Sequence, residues 1–446
     1  MIKRKIYNYL TNFFKEDKKS LLVTGARQVG KTFAIRKVGK ELFEQFIELN
    51  FVEQPQLKSI FGEANNANEI LLRLSAFAKK KLIPGKTLIF FDEVQECTEI
   101  VTAIKFLVDE GSYHYVMSGS LLGVELNDLR SVPVGYMAEI EMFPLDFEEF
   151  ALAVGMSDEV MAHLNECFVQ RKPVDEVVHK KMLELIRLYL VIGGMPAAVM
   201  KYLTTNNLQL VRNEQGSIIK MYHKDIAKHD LDNKLYIKEI FDTIPSELNA
   251  KNKRFIMKTL NQNAKYERFK NSFIWLADAG VALPVYNVEE PRIPLRLNEQ
   301  RNLFKLFLND VGLLASCYAS EFQLQIITGE TNINFGGIFE NFVAQELKAH
   351  GYSLHYFNSK SQGELDFVVE HDDKVIPIEV KSGKDYKRHN ALSNVMANKD
   401  YGIQQGIVLS SGNMEQQDKV CYMPIYMVMY LKPVEMLQPV FAFHPM

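Results

Sequence analysis

The sequence predicts an α/β chain in three successive regions: a parallel sheet with crossover helices, a helix-dominated stretch, and a small mixed α/β module. Three observations predict it. Over residues 21–150 short apolar runs alternate with longer amphipathic ones, the pattern of buried strands joined by helices. From about residue 151 to 317 the strand signal fades and helical periodicity dominates. Beyond residue 336 one helical stretch precedes several strand-like runs. The expected domains are 1–155, 156–330 and 331–446.

Taken in order, residues 21–24, 46–50, 88–92, 113–118 and 138–142 read as strands, with helices over 31–40, 67–80 and 99–110. In the middle region 178–189 and 255–260 read as helices. In the last, 337–350 is a helix and 353–357, 365–369, 375–380 and 406–409 are strands. No internal repeat, low-complexity tract or long linker interrupts the chain.

Composition excludes several classes. At 446 residues and 51.3 kDa the chain exceeds one compact core. Lys and Arg number 52 against 55 Asp and Glu, so bulk positive charge holds it to no nucleic acid, although a local basic face is not excluded. Cys97, Cys167, Cys317 and Cys421 are dispersed, which argues against a zinc site or a disulfide framework and for a reducing cytoplasm. The apolar run 422–431 is too short to span a bilayer, Asp278 breaks the run 273–286, and the amino end lacks a signal-peptide core; a soluble protein without membrane contact is expected.

The strongest motif comes directly after the first strand. Gly25-Ala26-Arg27-Gln28-Val29-Gly30-Lys31-Thr32 is a complete Gly-x-x-x-x-Gly-Lys-Thr between a strand and a helix that carries Phe33. Its glycines let successive N–H groups turn inward around an anion, and the helix adds its positive end. Lys31 is expected on the β- and γ-phosphates and Thr32 on Mg²⁺, so ATP with Mg²⁺ is the expected ligand. Sixty residues on, an apolar strand ends in Asp92-Glu93: Asp92 suits the Mg²⁺ shell and Glu93 the attacking water. A further strand ends in Ser118-Gly119-Ser120, where Ser118 would sense the γ-phosphate or position the water, unless the segment is only a turn.

This N-terminal third resembles the AAA+ superfamily of P-loop ATPases, and more closely a prokaryotic branch of it. The resemblance rests on the phosphate loop, on Asp92-Glu93, on Ser118-Gly119-Ser120, and on Met142-Phe143-Pro144-Leu145-Asp146-Phe147-Glu148-Glu149-Phe150 at and after the end of the last strand. It implies ATP hydrolysis on a P-loop NTPase sheet and, in AAA+ proteins, an arginine finger. The branch's usual Gly-Arg before the last strand is replaced by Gly135-Tyr136; Arg130 is then the candidate finger or a loop cation.

Two middle segments, 189–199 and 222–229, resemble ones that accompany these ATPases. Gly193-Gly194 and Pro196 read as helix punctuation. Asp225 and His229 share a helix face, as an acid–base or metal pair or simply a surface contact. Residues 245–270 carry seven basic and two acidic side chains ahead of a helix that ends at Gly280 and a following strand. That order resembles a winged helix, which implies contact with DNA; a solvated basic face is the plain alternative.

In the last region Gly363-Glu364-Leu365-Asp366 is followed by Ile378-Glu379-Val380-Lys381. Strand alternation puts Glu379 and Lys381 on one face, where Asp366 from a neighbouring strand can join them; Glu-x-Lys is equally the pattern of an exposed ion pair. Paired carboxylates with a lysine are what metal-assisted phosphodiester cleavage requires. The arrangement resembles the PD-(D/E)xK phosphodiesterase superfamily, with Leu365 where Pro is usual. The resemblance implies Asp366, Glu379 and helix Glu340 as metal ligands and Lys381 as the catalytic cation. The expected whole is an ATPase with a nuclease-like module acting on DNA, or a nucleotide-gated regulator whose module docks a partner. A second copy or a further protein is the expected assembly.

Overall fold

The computed structural model describes residues 2–62, 66–120, 135–229, 234–250, 253–256, 266–329, 335–383 and 385–433. They form two compact units that interleave along the chain. The first draws on Met1–Asp158, Glu184–Pro284 and Leu306–Glu330; the second draws on Glu159–Leu183, Val285–Lys305 and Thr331–Met446.

The first unit is built on β1 (Ser20–Thr24), β2 (Gln45–Asn50), β3 (Thr87–Asp92), β4 (His114–Ser118) and β5 (Met137–Glu141). Their order is β2-β3-β4-β1-β5 and all pairings are parallel. Thr87-Leu-Ile-Phe-Phe-Asp92 is buried along its whole length, as a central strand covered on both faces must be. On one face Phe91 stacks against Phe51 and Tyr115 within a single apolar cluster. Helices Lys31–Leu42, Ala67–Ala78 and Glu99–Glu110 make the crossovers, within two residues of the expected limits. The register pairs Asn50 with Asp92 and Asp92 with Ser118, so three polar residues line up at the carboxyl ends of β2, β3 and β4. That edge is where open parallel sheets take ligands.

The helical part of this unit packs by close backbone approach. Helix Glu176–Ile192 stops at Gly193, whose φ of 73° only glycine adopts without strain. A Cβ on Gly194 would lie 1.9 Å from the carbonyl oxygen of Leu145, whose own N–H donates to the Gly194 carbonyl at 2.7 Å. Asp310, fully buried, accepts from the N–H of Gly194 at 2.6 Å and caps helix Val311–Ser316 through the N–H of Leu313 at 2.9 Å. The two glycines are thus contact points as well as punctuation.

One middle-region expectation is revised. Phe255 and Ile256 are not helical, and 257–265 lie outside the described residues together with Lys251, Lys258 and Lys265 of the basic stretch. Helix Tyr266–Asp278 is followed by Gly280 (φ 69°), and the next strand, β6 (Ala282–Val288), pairs in parallel with a C-terminal strand and lies beside the strand that follows it in the chain.

The second unit's sheet contains β6, β7 (Glu299–Leu308), β8 (His355–Ser359), β9 (Gly363–His371), β10 (Lys374–Val380), β11 (Gly406–Ser410), β12 (Glu415–Gln417) and β13 (Val420–Pro424). Their order is β12-β13-β11-β10-β9-β8-β6-β7. The β8-β9-β10 meander is antiparallel, whereas β10-β11, β11-β13 and β6-β8 are parallel. The sheet thus takes in two strands from before residue 331: without β6 and β7, β8 would present an unpaired edge. The apolar run at 422–431 is β13 with the buried turn Ile425–Tyr430. All four cysteines are unpaired, and among the described residues no single helix is long and apolar enough to cross a membrane.

A paired substitution tests the packing. Gly194→Ala forces a methyl into a carbonyl and is expected to cost about 1–3 kcal/mol or more. Gly216→Ala, in open space on helix Leu208–His229, is expected to be neutral or to stabilise by up to ~1 kcal/mol. Thermal unfolding checks both; equal melting points would remove the backbone contact from the account.

Candidate functional site

The loop after β1 turns back on itself through three left-handed residues, Gly25 (φ 122°), Gln28 (φ 66°) and Gly30 (φ 98°), which is how successive N–H groups come to face one anion. Gly25 has no alternative, because a Cβ there would stand 2.2 Å from the Met142 carbonyl oxygen. Val29 is buried and anchors the loop, its carbonyl accepting from Arg4 at 3.2 Å. Lys31 is 7% exposed and folds back, donating to the carbonyls of Gly25 at 2.7 Å and Ala26 at 2.8 Å. Burial pushes its ammonium down to about 8, with Glu93 and Asp92 pulling the other way. A buried lysine held only by carbonyls, beside an inward-facing amide nest, fits a polyphosphate. Phe33, in the first turn of the helix, is 55% exposed.

Asp92 is the hub of the strand edge. Its two oxygens each lie 3.2 Å from the Thr32 hydroxyl, Asn50 Nδ2 donates to Oδ2 at 3.1 Å, and the Ser118 hydroxyl donates to Oδ1. Burial raises the carboxyl of Asp92 and the Ser118 hydrogen bond opposes it. An acid with a hydroxyl at its side and a phosphate nest adjoining is the donor set that suits Mg²⁺. Glu93, in the left-handed region at φ 58°, accepts from the side chain of Gln95. The expected Thr32, Asp92 and Ser118 do converge. Asn50 was not among the expected residues; its signal was its place at the end of a strand next to the one ending in Asp92.

Arg27 has a role the motif does not disclose. Its Nε donates to Ser120 Oγ at 3.2 Å and its Nη1 to Asp225 Oδ1 at 2.7 Å. The Tyr222 hydroxyl donates to the Arg27 carbonyl at 3.4 Å, and Gly280 lies so close that its Cβ would be 3.0 Å from the Ala26 nitrogen. Asp225 is therefore buried against the loop through Arg27, not set on the surface. The side chain of His229, and all of Arg130, lie outside the described residues.

In the second unit Glu340, Asp366, Glu379 and Lys381 also converge. The antiparallel register that pairs Phe367 with Ile378 brings Asp366 beside Glu379, and the Val380 N–H donates to Asp366 Oδ2 at 2.8 Å. Lys381 donates to Glu379 Oε1 at 3.1 Å. Glu379 is pushed up to about 7, by burial first and then by Asp366 and, more weakly, Glu340, against the pull of Lys381. One residue was missed. Lys305 on β7 is 0% exposed, with its ammonium 2.7 Å from Glu364 Oε1, 3.5 Å from Glu340 Oε2 and 3.9 Å from Asp366 Oδ1. Its signal was a lone lysine inside Leu303-Phe304-Lys305-Leu306-Phe307. Burial works against its charge, but Glu340, Asp366 and Glu364 together hold it well above the usual lysine range. Among the described residues no three His, Cys, Asp or Glu side chains are arranged to hold a metal. With a protein cation already among these acids, the cluster does not fit a divalent ion as it stands.

Residues 17–151, which carry the parallel sheet and the phosphate loop, match the family model described as an AAA domain. Residues 183–323 and 335–428 match two domains of unknown function, DUF8612 and DUF4143. Comparison with curated proteins returns no match. Solved structures that resemble the chain include a Walker-type ATPase of Pyrococcus abyssi, at 14% identity and TM-score 0.43, covering 71% of this chain and 96% of that one. Thermotoga maritima RuvB (14%, TM-score 0.28) covers 66% and 91%, and Caenorhabditis elegans PCH-2 (12%, TM-score 0.24) covers 36% and 47%. At these scores none carries a functional argument.

The buried Lys31 makes a pH prediction. A lysine depressed to about 8 is largely neutral above that pH, and a bound polyphosphate restores its charge, so ligand binding takes up a proton there. Affinity should fall as pH rises through about 8. Calorimetry in buffers of different ionisation enthalpy checks it; identical heats above that pH would detach Lys31 from the ligand.

Proposed function

We propose that this chain is an Mg²⁺-dependent ATPase whose nucleotide state controls a C-terminal nuclease-like module that engages DNA. The observation that carries the reading is the adjacency of the amide nest, buried Lys31 and the Thr32–Asp92–Ser118 array. In this reading Gly25 to Thr32 hold the phosphates, Lys31 meets the β- and γ-phosphates, and Thr32 and Asp92 hold the ion. Mg²⁺ supplies charge neutralisation at the phosphates when bound. Glu93, released from Gln95, accepts the proton of the attacking water, while Ser118 keeps Asp92 oriented. A cation against the γ-phosphate then comes from Arg130 or from a second copy. Four unpaired thiols support a reducing cytoplasm as the setting.

Glu93→Gln should bind ATP normally and hydrolyse it roughly 100-fold more slowly or worse. Steady-state phosphate release with parallel nucleotide-binding measurements decides it: unchanged turnover takes Glu93 out of the mechanism.

The position of Lys305 favours a second reading, a nucleotide-gated regulator in which the C-terminal module binds a partner and cleaves nothing. Supercoiled and branched DNA incubated with Mg²⁺ or Mn²⁺, and with Lys381→Ala as control, separates the two. Cleavage by the native chain alone supports the nuclease; binding without cleavage, weakening steeply with salt, supports a DNA-bound regulator. Salt-insensitive or absent binding removes DNA from both.

A further inference from the structure

We propose that the ammonium of Lys305 is a built-in substitute for a divalent ion, occupying the carboxylate cluster of the C-terminal sheet and keeping it metal-free. The proposal is independent of the nucleotide site. It rests on where the side chain ends. Lys305 starts on β7, at one edge of the sheet, and its ammonium reaches Glu364 and Asp366 on β9 and Glu340 on helix Gly336–Ala349. Three carboxylates from two elements stand within 3.9 Å of one positive centre, and carboxylate oxygens are the ligands a Mg²⁺ or Mn²⁺ ion takes. Here the positive centre is covalently attached and has no exposed surface.

The neighbouring contacts agree. Asp366 spends its other oxygen on the Val380 N–H at 2.8 Å, and Glu379 accepts from the second ammonium, Lys381, at 3.1 Å. The central acids of the cluster are each engaged by a donor of the chain itself. An ordinary buried ion pair needs one acid for one base. Placing three acids around Lys305 costs desolvation that a single pair would avoid. An incoming divalent ion would have to displace an ammonium that has no exposed surface. Removing the charge but keeping the stem, as in Lys305→Met, takes from Glu340, Glu364 and Asp366 the one ammonium that all three share, which makes room for another cation.

The Tyr356 ring gives a readout, since the ammonium lies 5.1 Å from its centroid. A Tb³⁺ ion bound in the ammonium's place would be sensitised by that ring. Tb³⁺ titrations of the full-length chain, of Lys305→Met, and of each combined with Asp366→Asn form the test. The native protein should show no emission that depends on Asp366. Lys305→Met should gain a saturable signal, with an affinity at least roughly tenfold tighter than any native one, and lose it on adding Asp366→Asn. The Asp366 comparison separates this ion from one held at the phosphate loop. Emission from the native chain that vanishes in Asp366→Asn overturns the proposal, as does a folded Lys305→Met chain that gains no site. If Lys305→Met is unfolded in metal-free buffer, recovery of its melting transition on adding Mn²⁺ is the supporting result; failure to recover also overturns it.

Discussion

Everything at the nucleotide edge depends on one buried carboxylate. Asp92 ends a strand with no exposed residue, and an acid in that position survives only if its oxygens are satisfied. Three neighbours do so: Thr32 from the helix after the phosphate loop, Asn50 from β2 and Ser118 from β4. Each comes from a different element, and the parallel register fixes their relation to Asp92. The hub ties the loop's helix to the sheet edge, so the nest is held in shape before any ligand arrives. Preorganised donors of this kind spend less free energy on reorganisation when charge enters the site.

The same loop is braced from the helical part of its unit. Arg27 links Ser120, just beyond β4, to Asp225 on helix Leu208–His229, and the Tyr222 hydroxyl reaches the Arg27 carbonyl. Gly25 and Gly280 contribute by lacking a side chain where backbones come within contact distance. The phosphate loop is therefore a shared part of sheet and helices, and whatever changes its charge is felt by both.

The second unit handles buried acids differently. Its carboxylates face protein ammonium groups, Lys305 and Lys381, in addition to amides. In the first unit the donors around Asp92 are neutral, which leaves room for an added cation to improve the electrostatics. In the second the cations are already present, and an added one meets repulsion. Two acid-lined sites in one chain thus differ in what they have left to offer.

Much of this was legible in the linear pattern, for a physical reason. Phosphate loops, strands that end in acids and helices that begin after glycine are local, since backbone conformation and burial depend on near neighbours. Hence Gly25 to Thr32, Asp92 and the five strands of the first sheet could be read directly. The Glu340, Asp366, Glu379 and Lys381 set was legible too, because strand alternation carries two of its members. Contacts across long separations were not. Arg27 meets Asp225 and Lys305 meets Glu340 and Glu364 only because the chain folds back, and periodicity holds no record of which buried charge will face which. Likewise the recruitment of β6 and β7 into the C-terminal sheet comes from the need to cover an edge, a demand that exists only once the sheet has formed. Sequence alone determined the elements and the chemistry they carry; tertiary structure decided the partners, since a charge's partner is set by distance in space.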